Sequence, residues 1–206
     1  MGLAVANYND AHGCYPPAYV SDASGRPVHS WRVLLLPYLG MEDVYKEYRF
    51  SEPWDGPNNR KLAERMPKIY RFPGEHGPTT NYLAVVGPET AWPGRATVTG
   101  NEVKDGKSNT ILIVENQGAG IHWMEPRDLC FADMDFTIGS PQGLSSKYVD
   151  PAVVMMDGRI RRFEKRLPAD VFRAMLTING GERLVDDEEA GWHLLSDGRH
   201  RLIRVP

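Results

Sequence analysis

The N-terminal stretch of this chain carries its apolar residues at helical spacing. Leu3, Ala6 and the pair Val5 and Tyr8 form a narrow apolar stripe, while Asn7, Asn9 and Asp10 stay polar. Gly13 supplies a helix stop, and the two prolines at positions 16 and 17 forbid continuation. No N-cap residue precedes the stripe, and a helix of about three turns is marginal alone. We therefore expect this segment to be the end of a longer helix whose beginning lies upstream of the chain.

The remaining apolar stretches are short and are bounded by turn residues. Ser30 is placed to cap a helix that starts at Trp31 and is limited by Pro37 and Gly40. The next stretch, MEDVYKEY, has its acids early and its lysine late, which agrees with the dipole of a second short helix. A third helical segment is predicted over 59–66, and runs rich in Ile, Val, Leu and Tyr predict strands over 68–72, 81–86 and 110–115.

The C-terminal half is dominated by hairpin signals around one helix. In VVMMDGRIRRF the dipeptide Asp157-Gly158 predicts a two-residue type I′ turn, with Met155 opposite Ile160 and Val154 opposite Arg161. The stretch LPADVFRAMLTINGG predicts a helix with its proline in the first turn and its end at Asn-Gly. The tail WHLLSDGRHRLIRV predicts a second hairpin with an Asp-Gly turn at 197–198.

Short helices followed by antiparallel hairpins indicate an α+β fold with one principal sheet. We predict three parts: the end of a spine helix at 1–17, a globular domain at 18–181 and a C-terminal hairpin extension of that domain at 182–206. The net charge of −3 gives no nucleic-acid footprint, and no run approaches the roughly 20 apolar residues of a membrane-spanning helix. Cys14 and Cys130 either pair in an oxidising compartment or stay apart as thiols.

The stretch HWMEPRDL holds the most suggestive candidate for a binding site. Trp123 beside Glu125 and Asp128 is a combination that holds a sugar by stacking and hydrogen bonding, and Trp31 and Trp54 are candidates to extend the platform. The alternative is a tryptophan packed beneath a proline-fixed loop, with the acids bonded to backbone donors. The same two carboxylates are the candidates for glycosidase chemistry, but no catalytic motif accompanies them. We therefore predict no enzymatic activity.

The loop WDGPNN offers hard oxygen donors of the kind that calcium prefers. Asp55, Asn58 and Asn59 are close in sequence, but the loop lacks the spacing and carboxylate count of an EF-hand. The alternative is turn formation and capping of the following helix by one of the asparagines. Calcium is accordingly the only cofactor for which the sequence offers candidates, and no metal site is predicted.

Seven blocks occur in an order that resembles the DUF1559 family, also called SBP_bac_10, which is abundant in planctomycetes. The resemblance runs from residue 2 to about residue 182. The blocks are NYNDAHGCYPPAYVSD, SWRVLLLPYLG, WDGPNN, TNYLAVVG, DGKSNTILIVE, HWMEPRDL and LTINGGE, with the Asp-Gly hairpin between the last two.

The resemblance implies a pilin-like plan. Members of the family typically carry a prepilin-like leader and an apolar helix ahead of a block like GLAVANYND, and their soluble part is similar to the pseudopilins of type II secretion. The resemblance thus implies a non-enzymatic protein of the periplasm or cell surface, anchored through the helix that this chain lacks, whose partners are other pilin-like subunits. The alternative function is an extracytoplasmic module that binds a carbohydrate or another solute through the region of Trp123 and Glu125.

The chain departs from the family pattern at two internal positions. Residues 72–75 read Phe-Pro-Gly-Glu where the family has Cys-Pro-Ser-Asp, and Lys147 stands where the family has the histidine of its His-x9-Asp-Gly signature. A disulfide at the first position, or a metal or catalytic role at the second, is therefore not expected in this protein.

Overall fold

The computed structural model describes residues 1–148, 150–187 and 191–195. Within them the fold is α+β, as predicted, with short helices and small, mostly antiparallel sheets. The α-helices are α1 (Gly2–His12), α2 (Trp31–Leu34), α3 (Glu42–Glu47) and α4 (Ala169–Ala174), and 3-10 turns occupy Leu36–Leu39, Asn59–Arg65, Lys68–Tyr70 and Gly100–Glu102. The strands are β1 (Tyr19–Ser21), β2 (Pro27–Ser30), β3 (Thr79–Thr80), β4 (Tyr82–Leu83), β5 (Val85–Val86), β6 (Ile111–Glu115), β7 (Ile121–His122), β8 (Leu129–Cys130), β9 (Ala152–Met155), β10 (Ile160–Arg162), β11 (Arg183–Asp187) and β12 (Gly191–Leu195).

The principal sheet has four antiparallel strands in the order β10-β9-β6-β4. All five residues of β6 are buried, because apolar clusters cover both faces of the sheet. Leu112 and Ile113 join the cluster beneath α1, α2 and α3, whereas Ile111 and Val114 join the cluster beneath α4. A register shift between Ile111 and Ile113 explains why two consecutive residues face the same core. Smaller pairs complete the fold: β1 with β2, β3 with β7, β11 with β12, and the parallel pair β5 with β8.

Helix α1 lies on the body of the protein through part of its predicted apolar stripe, since Val5 is buried and Tyr8 packs against the core. Ala4 is also buried in the core, whereas Leu3, the first residue of the stripe, is 73% exposed. The start of the helix fits closely against the β9–β10 hairpin, since a Cβ on Gly2 would come within 2.9 Å of the Gly158 Cα. This approach turns the small residues toward the sheet and Leu3 toward solvent. The predicted stop is confirmed, because the helix ends at a left-handed glycine at position 13.

The predicted strand over 68–72 is wrong, and this segment forms a 3-10 turn at Lys68–Tyr70. Its apolar residues suggested a strand, but the turn serves a tertiary contact. It brings the Tyr70 side chain into the core, where the hydroxyl donates to the Arg32 carbonyl oxygen at 2.8 Å. The predicted helix cap at Ser30 is confirmed, since its side chain accepts from the Arg32 amide at 3.2 Å. The strand predicted over 81–86 divides into β4 and β5, which belong to different sheets.

The β9–β10 hairpin is present, but its predicted turn type and register are wrong. Val154 pairs with Ile160, and the Met155 amide bonds to the Arg159 carbonyl oxygen, so the loop has three residues rather than two. A type I′ turn needs a positive φ at both central residues, and Asp157 does not have one. Only Gly158 does, at φ 86°, which produces the type I turn with a glycine bulge.

The predicted tail hairpin cannot be compared at its turn, because residues 197–198 lie outside the described residues. The strand β12 instead pairs with the preceding β11, with Leu194 opposite Leu184.

The predicted helix around α4 is confirmed, with Val171 and Phe172 buried. Cys14 and Cys130 are free thiols. No helix among the described residues is long and apolar enough to cross a membrane, and the division into three parts stays a prediction.

Candidate functional site

Asp128, a predicted ligand-binding residue, lies at the centre of a buried hydrogen-bond cluster. Its carboxylate accepts from the Arg32 Nη2 at 2.7 Å, the Ala84 amide at 2.8 Å and the Trp31 Nε1 at 3.2 Å. The side chains of Arg32 and Asp128 are 0% and 2% exposed. The same Arg32 nitrogen donates to the Tyr82 carbonyl oxygen at 2.8 Å. This cluster therefore joins α2 to β4 and to the segment that leads into β8.

The electrostatics of the cluster follow from its burial. Loss of solvation raises the pKa of the Asp128 carboxyl, and the Arg32 guanidinium opposes that rise. Both carboxylate oxygens have protein donors, so the group is not free to bind a ligand. Its role in this structure is to compensate a buried arginine.

Trp123, the centre of the predicted platform, and Trp31, one of the two residues predicted to extend it, are inside the protein. Trp31 and Trp123 are 0% exposed, and the Trp123 Nε1 donates to the Ala63 carbonyl oxygen at 3.0 Å. A buried indole offers no face to a ligand, so the prediction of a Trp123 platform is wrong and the alternative of a packed tryptophan fits. Glu125 lies near the surface and pairs with Arg127 at 2.7 Å.

Trp54 is the predicted platform residue that keeps partial exposure. Its ring lies 5.0 Å from that of His122, with the two planes 35° apart. Burial lowers the pKa of His122. The Met124 amide donates to the His122 Nδ1 at 3.3 Å, which favours the neutral tautomer with its proton on Nε2. The pair is a packed contact between the WDGPNN loop and β7.

The weak calcium candidates also serve the backbone. The Asn59 side chain accepts from the Arg49 amide at 2.8 Å and donates to the Pro53 carbonyl oxygen at 3.0 Å. The cap of the following 3-10 turn is Glu52, whose Oε1 accepts from the amides of Asn58 and Asn59 at 2.8 and 2.7 Å. The predicted capping by the asparagine side chains is therefore wrong, because a carboxylate from the preceding turn does it. Asp55 faces Arg60 at 3.9 Å, and the described residues contain no group of three metal-ligating acids, histidines or cysteines.

A small cleft lies between the loop that follows Phe72 and the loop that follows β6. Its volume is about 150 Å³, and Phe72, Glu75 and Lys147 form one side of it. The Lys147 Nζ donates to the Pro73 carbonyl oxygen at 2.8 Å and lies 4.9 Å from the centre of the Phe72 ring. The two internal departures from the family pattern, at 72–75 and at Lys147, therefore meet at one place in the fold.

Sequence analysis missed both Arg32 and the cleft. Arg32 is a single charge in the apolar run WRVLLL, and a charged residue inside such a run signals a buried partner, although not which one. The cleft had a weaker signal in two glycine-containing polar stretches, GEHGPT and NQGAG, which lie some forty residues apart.

The fold and these side chains define the class of protein as an α+β domain that is stabilised by internal polar clusters. Residues 1–97 match the family model SBP_bac_10, described as a protein of unknown function (DUF1559). This match covers the N-terminal part of the chain and agrees with the resemblance to the DUF1559 family seen in the sequence. Neither the curated proteins nor the solved structures contain a match.

Proposed function

We propose that this protein is a non-enzymatic, pseudopilin-like subunit of the cell envelope, which assembles with neighbouring subunits through helix α1. The observation that carries the proposal is the two-sided character of α1. Ala4 and Val5 attach one side to the core, and Leu3 on the other side is 73% exposed. Because one side of the helix is fixed to the body of the protein, the other side is held in a defined position from which it can contact a second subunit.

The exposed residues of α1 form one continuous face of the helix. Leu3, Asn7, Asp10 and Ala11 are all exposed and follow the spacing of one helical face. The resemblance of GLAVANYND to segments that follow a prepilin-like helix supplies the compartment, which we propose to be the periplasm or the cell surface. In this proposal the membrane is reached only through a leader helix of the full-length protein.

The arginine partners of the two candidate catalytic carboxylates favour a structural role for these groups. Asp128 compensates the buried Arg32, and Glu125 pairs with Arg127. Two carboxylates that already have these partners are poorly placed to act as an acid and a nucleophile on a sugar. The alternative function, a solute-binding module at Trp123 and Glu125, gains no support from Trp123 because that indole is buried.

The test is cysteine cross-linking in intact cells that produce the full-length protein. Cys130 is first replaced by serine because it is an exposed thiol. We expect Leu3→Cys to give dimers and longer adducts with a bifunctional maleimide. The matched control is Ala23→Cys, an exposed alanine in the turn between β1 and β2, which should give few. Equal cross-linking at the two positions, or recovery of the protein in the cytosolic fraction, would overturn the proposal.

A further inference from the structure

The cleft beside Lys147 has the size of a single-ring ligand. Its volume of about 150 Å³ is below that of drug-sized pockets. A cavity of similar volume engineered into another protein holds one benzene molecule. The ligand that fits here is therefore one six-membered ring or a chain of similar bulk.

Three polar side chains of the cleft have hydrogen-bonding groups that no described residue occupies. The Asn81 Oδ1 accepts from the Gly120 amide at 2.9 Å, which fixes the side-chain amide and leaves its Nδ2 group available. Thr79 contributes a hydroxyl and Gln117 contributes a second amide. Together these groups offer both donors and acceptors to a bound molecule.

The charges at the cleft compensate each other. The Lys147 Nζ lies 3.7 Å from the Glu75 carboxylate and donates one hydrogen bond to the Pro73 carbonyl oxygen. An ammonium group has three protons, so Lys147 keeps donor capacity for a ligand, and Glu75 keeps acceptor capacity. A ligand with net charge would meet an opposite and a like charge together, whereas a neutral ligand with several hydroxyl groups can bond to both.

The rim that carries Gln117 is held by the backbone. The Gln117 amide donates to the Ser145 carbonyl oxygen at 3.1 Å and to the Ser145 hydroxyl at 3.0 Å. Gly118 then turns the chain with a φ of 84°, and space for a Cβ is open there. Because the main chain is fixed, a ligand needs to order only side chains, which lowers the entropic cost of binding.

We propose that this cleft binds a neutral polyhydroxylated molecule of one-ring size, namely a monosaccharide or a cyclic polyol. Hydrogen bonds from the ligand hydroxyls to Asn81, Gln117 and the Lys147–Glu75 pair provide the recognition. The site is separate from the buried Trp123 region, and the inference does not rest on the proposed assembly role.

The test is nuclear magnetic resonance of the ¹⁵N-labelled chain, titrated with glucose, galactose, N-acetylglucosamine and inositol. We expect the amide signals of Gly118 and Gly120 to shift saturably with at least one probe. For a ligand of about a dozen heavy atoms, the expected Kd is roughly millimolar. Acetate and ethylammonium serve as the charged probes and should bind more weakly.

Two variants decide whether the cleft is the site. Gln117→Ala and Lys147→Met should each weaken binding by roughly 3- to 10-fold, the effect of losing one hydrogen bond. The matched controls Gln142→Ala and Lys46→Met change exposed residues outside the cleft and should leave the Kd unchanged. Binding that is equal in all four variants, tighter binding of a charged probe, or no shift with any neutral probe would overturn the inference.

Discussion

Replacing Asp128 with asparagine tests the buried cluster directly. The substitution keeps the shape of the side chain but removes the negative charge that faces Arg32 at 2.7 Å. Arg32 is then a buried cation without a counter-charge. One of the donors from Trp31 and Ala84 also meets an amide NH₂ group instead of an oxygen, because asparagine has only one acceptor oxygen.

The expected loss of stability is large. Removing one partner of a buried ion pair costs about 3–5 kcal/mol, because the other charge stays desolvated without compensation. For a chain of about 200 residues, each kcal/mol shifts the Tm by about 2–4 °C. The Tm of Asp128→Asn should therefore fall by about 6–20 °C.

The assay is thermal unfolding followed by circular dichroism, with urea unfolding as a second measure. Glu164→Gln is the matched control, since Glu164 pairs with Arg166 at 2.8 Å with both side chains mostly exposed. An exposed pair contributes less than about 1 kcal/mol, so this variant should unfold close to the parent. In addition, the double variant Arg32→Met/Asp128→Asn should lose less stability than the two single variants added together. A Tm for Asp128→Asn within about 2 °C of the parent would refute the proposed role of the cluster.

Three further predictions concern local features. Burial lowers the pKa of His29 in the folded state, so on acidification the unfolded state binds a proton first. The free energy of unfolding should therefore fall as the pH drops below about 6.5, and this fall should be smaller in His29→Gln. Urea unfolding midpoints measured across this pH range check the prediction. Gly158→Ala should lower the free energy of unfolding by about 1–2 kcal/mol, because the φ of Gly158 is 86°. The control Gly100→Ala should change this free energy little. Equal effects of the two substitutions would contradict the assigned turn. Glu52→Gln weakens the carboxylate cap and should lower the Tm more than Glu64→Gln, an exposed change in the same 3-10 turn; the opposite order would exclude the cap.

Local signals predicted the elements whose cause lies within a few residues. Ser30 caps α2 through its own hydroxyl, and Gly13 ends α1 in the left-handed conformation that glycine adopts readily. The Asp157-Gly158 pair marked a hairpin correctly, although the turn type depended on which residue took the positive φ. Where packing competed with local preference, the prediction failed, as at Tyr70, whose burial requires a turn instead of a strand.

The candidate site was less predictable because its contacts are distant in sequence. Trp123 and Asp128 were singled out for their chemistry, but the partner of Asp128 lies 96 residues away, at Arg32. Spacing along the chain carries no information about such a pair. The same holds for the cleft, whose two sides come from separate loops and from Lys147.

The sequence by itself determined the α+β class, the main turn and cap positions and the resemblance to the DUF1559 family, because each depends on local patterns or on the order of short blocks. Only the tertiary structure decided which side of α1 is buried, that the tryptophans at 31 and 123 are core residues, and where unpartnered polar groups meet. The physical reason is that burial and electrostatic compensation depend on which distant segments pack together. The sequence of an aromatic residue beside an acid is the same whether the acid faces a ligand or an arginine in the core.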